Sequence, residues 1–273
     1  MHKVIAIDGP AGAGKSTVAR MLADRLGFTY LDSGALYRAV TWYLLKSNPK
    51  LLDGDQNPAT DAEMEAALRP LTIKLQNGHI LAGGEDVTDR IRDMEVSKRV
   101  SIVSERRPVR EKLLSLQRES AARDTVVEGR DMGTVVFPEA FLKVYLDADV
   151  SVRSNRRLKE LADAGAATNF GEVHENLRMR DERDTHRQIA PLTRAPDAVY
   201  LDTTYLTTED VVDTIQYLVD RCDRRWYELW KKFFYGFTWT FLKILSKIYL
   251  FRRVSGARNV DTLNGPAILA SNH

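Results

Sequence analysis

The stretch that decides the fold lies near the amino terminus and reads GPAGAGKS over residues Gly9–Ser16. A short apolar run, residues 4–7, precedes it, and apolar positions at helical spacing follow it over residues 16–26. The stretch matches the pattern G-x-x-x-x-G-K-[ST] in full. A strand, a glycine-rich loop and a helix in this order are the context in which the pattern binds phosphate. The opening of the chain therefore predicts a β-loop-α unit with a phosphate site at its turn.

The residue types in this loop suit nucleoside triphosphate binding. Glycines permit positive φ and let backbone N–H groups approach phosphate, and the following helix adds its N-terminus to the anion site. We expect Lys15 to reach the β- and γ-phosphates of ATP and Ser16 to hold Mg²⁺. The residues predicted to bind ATP are Gly9, Pro10, Ala11, Gly12, Ala13, Gly14, Lys15, Ser16 and Thr17.

Further apolar runs predict the rest of a parallel sheet. They lie at residues 28–32, 125–127, 142–146 and 198–201, with helical patterns between them. The predicted fold class is α/β, a sheet of the P-loop NTPase type flanked by helices. Asn77-Gly78 between two alternating runs predicts a hairpin and hence a small antiparallel β insertion. We expect residues 151–187, rich in arginine, to form a mobile helical lid.

Composition excludes several classes of protein. Of 273 residues, 44% are hydrophobic and 29% are charged, which is typical of a globular chain rather than a disordered one. The net charge of +2 gives no general attraction to a nucleic acid polymer, so we predict none as a partner. A single cysteine and an N-terminal apolar run too short for a signal peptide lead us to expect a cytoplasmic protein.

Three downstream blocks narrow the function, because a phosphate loop also occurs in GTPases, motors and ATPases. They are LDSGALYR at residues 31–38, EGRDMGT at residues 128–134 and RDERDTHR at residues 180–187. With these blocks in this order, residues 3–220 resemble the bacterial cytidylate kinase family. The resemblance implies a kinase that transfers the γ-phosphoryl group of ATP to CMP or dCMP.

The resemblance also implies the boundaries of the kinase domain. We expect it to span residues 1–222, with the acceptor-binding insertion at about 63–110 and the lid at about 151–187, and to be monomeric. One departure from the family is Glu128, which stands where relatives commonly have Asp and carries one extra methylene.

The resemblance assigns site residues as well. Ser33 and Arg38 would contact the acceptor, and Ser101, Arg110 and Asp184 would read the cytosine. The predicted acceptor-binding residues are Ser33, Arg38, Ser101, Arg110, Arg130, Arg180, Asp184 and Arg187. The predicted catalytic residues are Lys15, Arg130, Asp131, Arg180 and Arg187. Arginine suits these positions because phosphoryl transfer needs alignment and positive charge around the phosphate oxygens.

Ordinary structural roles compete with some of these assignments. Ser33 could also serve as a helix N-cap. Arg156 and Arg157 could add charge in the lid, or they could be solvated side chains on a helix surface. His79 and His174 are interpreted as surface residues, and the sequence shows no Cys/His cluster of the zinc-binding kind.

The composition changes after residue 224. Residues 226–251 combine aromatic side chains with lysines, which favours an amphipathic helix at a membrane surface or, equally, a helix that packs on a further domain. Residues 256–273 resemble the start of a 1-acylglycerol-3-phosphate acyltransferase, in which an Asp follows the Asn-His pair. The given sequence stops at His273, so we predict no acyltransferase activity for it, although it could be part of a kinase–acyltransferase fusion.

Two other functions remain open at this point. One is a kinase for a different small acceptor, such as AMP or UMP. The other is a membrane-docking protein that retains a vestigial phosphate loop.

Overall fold

A computed structural model describes residues 2–52, 59–76, 78–163, 165 and 167–224. The chain divides into two compact units, Met1–Val219 and Asp220–His273. The fold below is that of the first unit. The interpretations of residues 226–251 and 256–273 fall outside the described residues and remain predictions.

The strands and helices alternate over most of the first unit. The strands are β1 (Val4–Asp8), β2 (Thr29–Asp32), β3 (Ile73–Gln76), β4 (His79–Ala82), β5 (Glu85–Asp86), β6 (Thr125–Gly129), β7 (Leu142–Asp147) and β8 (Val199–Asp202). The helices are α1 (Lys15–Leu26), α2 (Ser33–Ser47), α3 (Asp61–Leu68), α4 (Met94–Glu105), α5 (Arg107–Ser120), α6 (Val150–Asp163) and α7 (Phe170–His186). Residues 208–219 are also helical.

The main sheet has five strands in the order β2-β6-β1-β7-β8, and every neighbouring pair is parallel. In β1, Ile5, Ala6 and Ile7 have no exposed surface, because the strand lies at the centre of the sheet with both faces covered. The predicted parallel sheet is thereby confirmed. Since all five strands run the same way, their carboxyl ends meet at one edge, which is where ligands bind in such sheets.

The insertion is a three-stranded antiparallel sheet, β3-β4-β5, as the Asn-Gly signal predicts. Gln76 pairs with His79, and Gly78 between them has a φ of 81°, which favours glycine. Apolar residues of α4, such as Val96 and Val100, belong to the same core cluster as Leu36 and Val40 of α2. The insertion therefore shares one hydrophobic core with the helix that follows β2.

The predicted lid is helical, comprising α6 and α7. Asn169 caps α7 by accepting the backbone N–H of Glu172 at 3.0 Å. At the other end of the unit, Gly27 follows α1, and its φ of 67° is the left-handed conformation in which glycine commonly ends a helix.

Candidate active site

The phosphate loop connects β1 to α1 at the carboxyl edge of the sheet. Gly9 has a φ of 149°, and a Cβ at this position would lie 1.9 Å from the Leu146 carbonyl oxygen. Gly12 and Gly14 also have positive φ, at 76° and 85°. Any other residue at position 9 would collide with β7, so the loop can approach the sheet this closely only through glycine.

Lys15 begins α1 and is only 5% exposed. Its Nζ donates to the Pro10 carbonyl oxygen at 2.7 Å, which folds the side chain back over the loop. Burial, followed by repulsion from Arg130, lowers the pKa of Lys15 to about 7. A phosphate anion beside Lys15 would raise this pKa again, so we expect Lys15 to take up a proton when a nucleotide binds.

A cleft above the loop collects most of the predicted site residues. Those lining it are Ala11, Gly12, Gly14, Lys15, Ser16, Thr17, Ser33, Arg38, Ser101, Arg130, Asp131, Arg180, Asp184 and Arg187. The predicted residues outside this lining are Gly9, Pro10, Ala13 and Arg110. Five separate segments of the sequence therefore converge on one cavity.

The arginines opposite the loop are partly paired. The Nε of Arg130 donates to Asp184 at 2.9 Å, and Arg187 lies 3.5 Å from Asp131. The Nε of Arg180 is buried without a hydrogen-bond partner. Burial, followed by the nearby positive charge of Arg130, lowers the pKa of Arg180 to about 10. An anion in the cleft would supply the acceptor that this guanidinium lacks.

Arg38 lies on α2 and faces the insertion. Its Nη1 donates to the Ser97 hydroxyl at 2.8 Å and to the Ile91 carbonyl oxygen at 3.3 Å. Both partners belong to the segment from Arg90 to α4. The insertion therefore orients Arg38 in the cleft.

Ser33 does not cap a helix, and that part of the prediction is wrong. Asp32 is the N-cap of α2, and its carboxylate accepts the Ala35 N–H at 2.9 Å. Carboxylates cap helices as well as hydroxyls do, and Asp32 already occupies the non-helical position. The Ser33 hydroxyl instead accepts from Gln117 of α5 at 2.7 Å.

Arg110 does not line the cleft. It donates to the Ser104 carbonyl oxygen at 3.0 Å and pairs with Asp131, and its guanidinium lies 5.5 Å from the centre of the Tyr37 ring. Ser101, one turn from Ser104 on α4, does line the cleft. Of the residues assigned to cytosine, Ser101 and Asp184 are thus at the surface of the cavity, and Arg110 braces Asp131.

The sequence analysis missed the carboxylate pair formed by Asp32 and Glu128 at the ends of neighbouring strands. The Tyr30 hydroxyl donates to Glu128 at 2.9 Å. Burial and then the charge of Glu128 raise the pKa of Asp32 to about 6. Both carboxylates line the cleft. Their positions at the ends of two predicted strands were the available signal, because such ends meet at one sheet edge.

The lid arginines have different environments. Arg156 donates to the Thr203 carbonyl oxygen at 2.7 Å, so it is bonded to the chain after β8 and is not simply solvated. Arg157 pairs with Glu160 at 2.8 Å and lines the cleft. Two residues that the sequence analysis did not select, Arg153 and Asp181, both contact the phosphate loop at Ala11.

The residues present fit Mg²⁺ of the kind that nucleotides carry. Within the described ranges, no three His, Cys, Asp or Glu side chains form a group that could hold a metal by themselves. Mg²⁺ in kinases needs no such cage, because phosphate oxygens and water supply most of its ligands. The Ser16 hydroxyl, at the cleft surface, is the protein ligand that the loop offers.

A parallel sheet with a phosphate loop at its carboxyl edge, a buried lysine and opposing arginines defines a P-loop phosphotransferase. Comparison with known proteins specifies the family: residues 5–221 match the model of the cytidylate kinase family. The chain therefore belongs to the cytidylate kinase family.

Two of three similar relatives match over nearly their whole length. A cytidylate kinase of Thermodesulfovibrio yellowstonii is 46% identical over 217 residues, which are 79% of this chain and 96% of the relative. One of Thermosipho melanesiensis is 43% identical over 80% of this chain and 97% of its own length. A bifunctional pantoate ligase/cytidylate kinase of a Synechococcus species is 45% identical over 78% of this chain and 39% of its own length.

Proposed function

We propose that this chain transfers the γ-phosphoryl group of ATP to CMP or dCMP, giving ADP and the diphosphate. The observation that carries the proposal is the cleft itself. Lys15 and the phosphate loop form one wall, and Arg38, Arg130 and Arg180 face them. Two phosphate sites in one cavity suit a donor and an acceptor nucleotide, and membership of the family supports this acceptor.

The mechanism follows from positioning and charge. Phosphoryl transfer asks little covalent help of a protein, so the main tasks are in-line alignment and stabilisation of the phosphate oxygens. Loop N–H groups and Lys15 hold the donor phosphates, while Arg130 and Arg180 hold the acceptor phosphate. Mg²⁺, bound by the Ser16 hydroxyl and phosphate oxygens, would neutralise charge on the donor. The protein needs no general base to activate the acceptor, because the attacking oxygen of the acceptor phosphate is already ionised at neutral pH.

Recognition of cytosine needs an acceptor for its exocyclic amine and a donor for its ring nitrogen. Asp184 is 4% exposed. Burial alone would raise the pKa of Asp184, but the positive charges of Arg130 and Arg180 outweigh burial and lower it. Asp184 is therefore an ionised acceptor at the cleft surface. Ser101 and, after a rotation away from Asp131, Arg110 are the proposed donors.

Closure of the lid excludes water from the transferring group. Arg187 at the end of α7 and Arg157 on α6 both line the cleft, so movement of these helices would bring positive charge towards the phosphates. An open site would permit hydrolysis of ATP, and closure on the correct acceptor prevents this.

A coupled assay of ADP release with CMP, dCMP, AMP and UMP at equal concentration tests the proposal. We expect CMP or dCMP to give the highest kcat/KM. Asp184 favours an exocyclic amine over the carbonyl of uracil. Adenine shares this amine and ring acceptor, so the preference over AMP is expected from membership of the cytidylate kinase family. AMP or UMP exceeding CMP would support the alternative acceptors instead. No activity with any monophosphate would favour a vestigial loop.

Three further parts of the proposal concern the state of the protein. We propose that the kinase unit acts as a monomer in the cytoplasm and that residues 226–251 contact a membrane surface; their packing on a further domain is the alternative. Within the ranges that the structure describes, no helix is long and apolar enough to cross a bilayer. A role within a kinase–acyltransferase fusion rests on the resemblance of residues 256–273 alone.

A further inference from the structure

Asp8 is a buried carboxylate that the phosphate-loop motif does not include. It is the last residue of β1 and directly precedes Gly9. Its side chain is 5% exposed and does not line the cleft. A buried carboxylate needs partners to offset the loss of hydration, so its contacts indicate what it does.

Both carboxylate oxygens of Asp8 accept backbone N–H groups from the turn that follows β6. Oδ1 accepts from Met132 at 2.8 Å, and Oδ2 accepts from Gly133 at 2.7 Å. Met132–Val136 form one wide helical turn, in which the Asp131 carbonyl oxygen accepts from Val135 and Val136. The first N–H groups of such a turn have no acceptor within it, and Asp8 supplies two.

The fit between the carboxylate and the turn is close. A Cβ on Gly133 would lie 3.4 Å from Oδ2 of Asp8 and 3.1 Å from the Lys143 side chain. Burial raises the pKa of Asp8 to about 6, while the two N–H groups oppose that rise. An amide side chain of the same shape would avoid the cost of a buried charge but would offer one acceptor and one donor, so it could satisfy only one N–H.

This turn carries the acceptor side of the cleft. Arg130 and Asp131 immediately precede Met132, and Asp131 pairs with both Arg110 and Arg187. The position of the turn therefore fixes the backbone of Arg130. It also fixes Asp131, the carboxylate with which two further arginines pair. Asp8 joins this turn to the start of the phosphate loop across 124 positions of sequence.

We propose that Asp8 is a positioning residue that sets the acceptor turn, residues 130–133, at a fixed distance from the phosphate loop. The inference rests on the proposed function, because it concerns alignment of the acceptor phosphate with the donor. Asp8 touches neither nucleotide. It acts through Arg130 and Asp131, so its loss should weaken acceptor binding and transfer far more than ATP binding.

The test compares Asp8→Asn with Asp124→Asn. Asp124 accepts the backbone N–H of Lys3 at 2.7 Å, a similar carboxylate–amide bond beside the opposite edge of the sheet. Dissociation constants for CMP and for ATP are measured separately by calorimetry, and kcat and KM are measured near pH 8, where Asp8 is ionised. Binding constants do not depend on turnover, so an error in the proposed reaction would appear in the wild-type assay and not in this comparison.

We expect Asp8→Asn to weaken CMP binding and lower kcat/KM for CMP by about tenfold or more, the effect of a lost charge-assisted hydrogen bond. ATP binding should change by less than about threefold, and Asp124→Asn should change neither. Equal losses for both nucleotides, or no loss for CMP, would overturn the inference. If Asp8→Asn does not fold, Asp8→Glu keeps the charge but displaces the turn, and the same selective loss for CMP is required.

Discussion

Lys15 shows how a single side chain can report on nucleotide binding. In the free protein its pKa is about 7, lowered chiefly by burial and then by Arg130. Near pH 8 most Lys15 side chains are then neutral, whereas a bound phosphate would raise the pKa and favour the ammonium. We predict that ATP binding near pH 8 takes up a large fraction of one proton at Lys15. Calorimetry in buffers of different ionisation enthalpy measures this uptake.

The matched control is Lys15→Arg, which stays protonated at every pH of the experiment. We expect it to bind ATP, if more weakly, with little proton uptake. The uptake in the wild type should also fade as the pH drops below about 6, because the lysine is then charged before ATP binds. Equal uptake by wild type and variant would assign the proton to another group.

Gly9 and Gly14 offer a second comparison between two residues of one loop. Both have positive φ, but a Cβ at Gly9 would strike the backbone of Leu146. Around Gly14, no described heavy atom beyond its two chain neighbours lies within 4 Å of where a Cβ would be. We predict that Gly14→Ala lowers the free energy of unfolding by about 1–2 kcal/mol through backbone strain alone. Gly9→Ala should cost clearly more or prevent folding. Urea denaturation of both variants measures the difference, and equal losses would contradict it.

At the scale of elements, both lid helices are bonded to the phosphate loop at Ala11. The Ala11 N–H donates to Asp181 of α7 at 3.2 Å, and the Ala11 carbonyl oxygen accepts from Arg153 of α6 at 3.0 Å. Arg153 and Asp181 also pair with each other. The Ala11 side chain packs with Val173 and Leu177 of α7. Since Asp181 is adjacent to Arg180, movement of the loop on ATP binding would be transmitted to the acceptor side.

We predict that Arg153 and Asp181 are energetically coupled. Arg153→Ala and Asp181→Ala should each weaken ATP binding, and the double variant should lose less than the sum of the two, with a coupling of about 1–3 kcal/mol for a largely buried pair. Fluorescence titration with ATP provides the constants for the cycle. Arg178 and Glu175, an exposed pair on α7 that does not line the cleft, form the control cycle and should couple much more weakly. Strict additivity for Arg153 and Asp181 would show that the two residues act separately.

The elements themselves were largely predictable, and the contacts between them were not. Apolar runs predict the strands at residues 4–7 and 125–127, and Asn77-Gly78 predicts the hairpin, because these signals are local. The bonds from Arg153 and Asp181 to Ala11 join residues 142 and 170 positions apart. Their pairing depends on the order of strands in the sheet, which no local pattern contains. The cap of α2 is a local contact, but Asp32 and Ser33 are both residue types that cap helices, so only the backbone conformation of Asp32 decides between them.

At the scale of the whole molecule, one consequence of the architecture is that each substrate site draws on distant segments. The donor site comes from the first 17 residues, while the acceptor site combines α2, the insertion, the turn after β6 and the end of α7. Most of the residues that the family resemblance assigns to the acceptor site line one cleft, and their roles in binding the acceptor remain predictions. The resemblance did not indicate that Arg110 is absent from the lining of that cleft, because its pairing with Asp131 arises only in the folded unit.

The proposed membrane contact of residues 226–251 makes a prediction about the molecule as a whole. The family match ends at residue 221, and the first compact unit ends at Val219. A chain shortened to residues 1–222 should therefore retain kcat/KM for CMP within about twofold, since the residues that line the cleft all belong to the first unit. The full chain, but not the shortened one, should sediment with vesicles that contain anionic lipid, and salt should weaken this binding because lysines contribute to it. Vesicles of neutral lipid are the control for charge. If the full chain stays in the supernatant with both kinds of vesicle, the aromatic segment does not bind lipid, and packing on a further domain becomes the better interpretation.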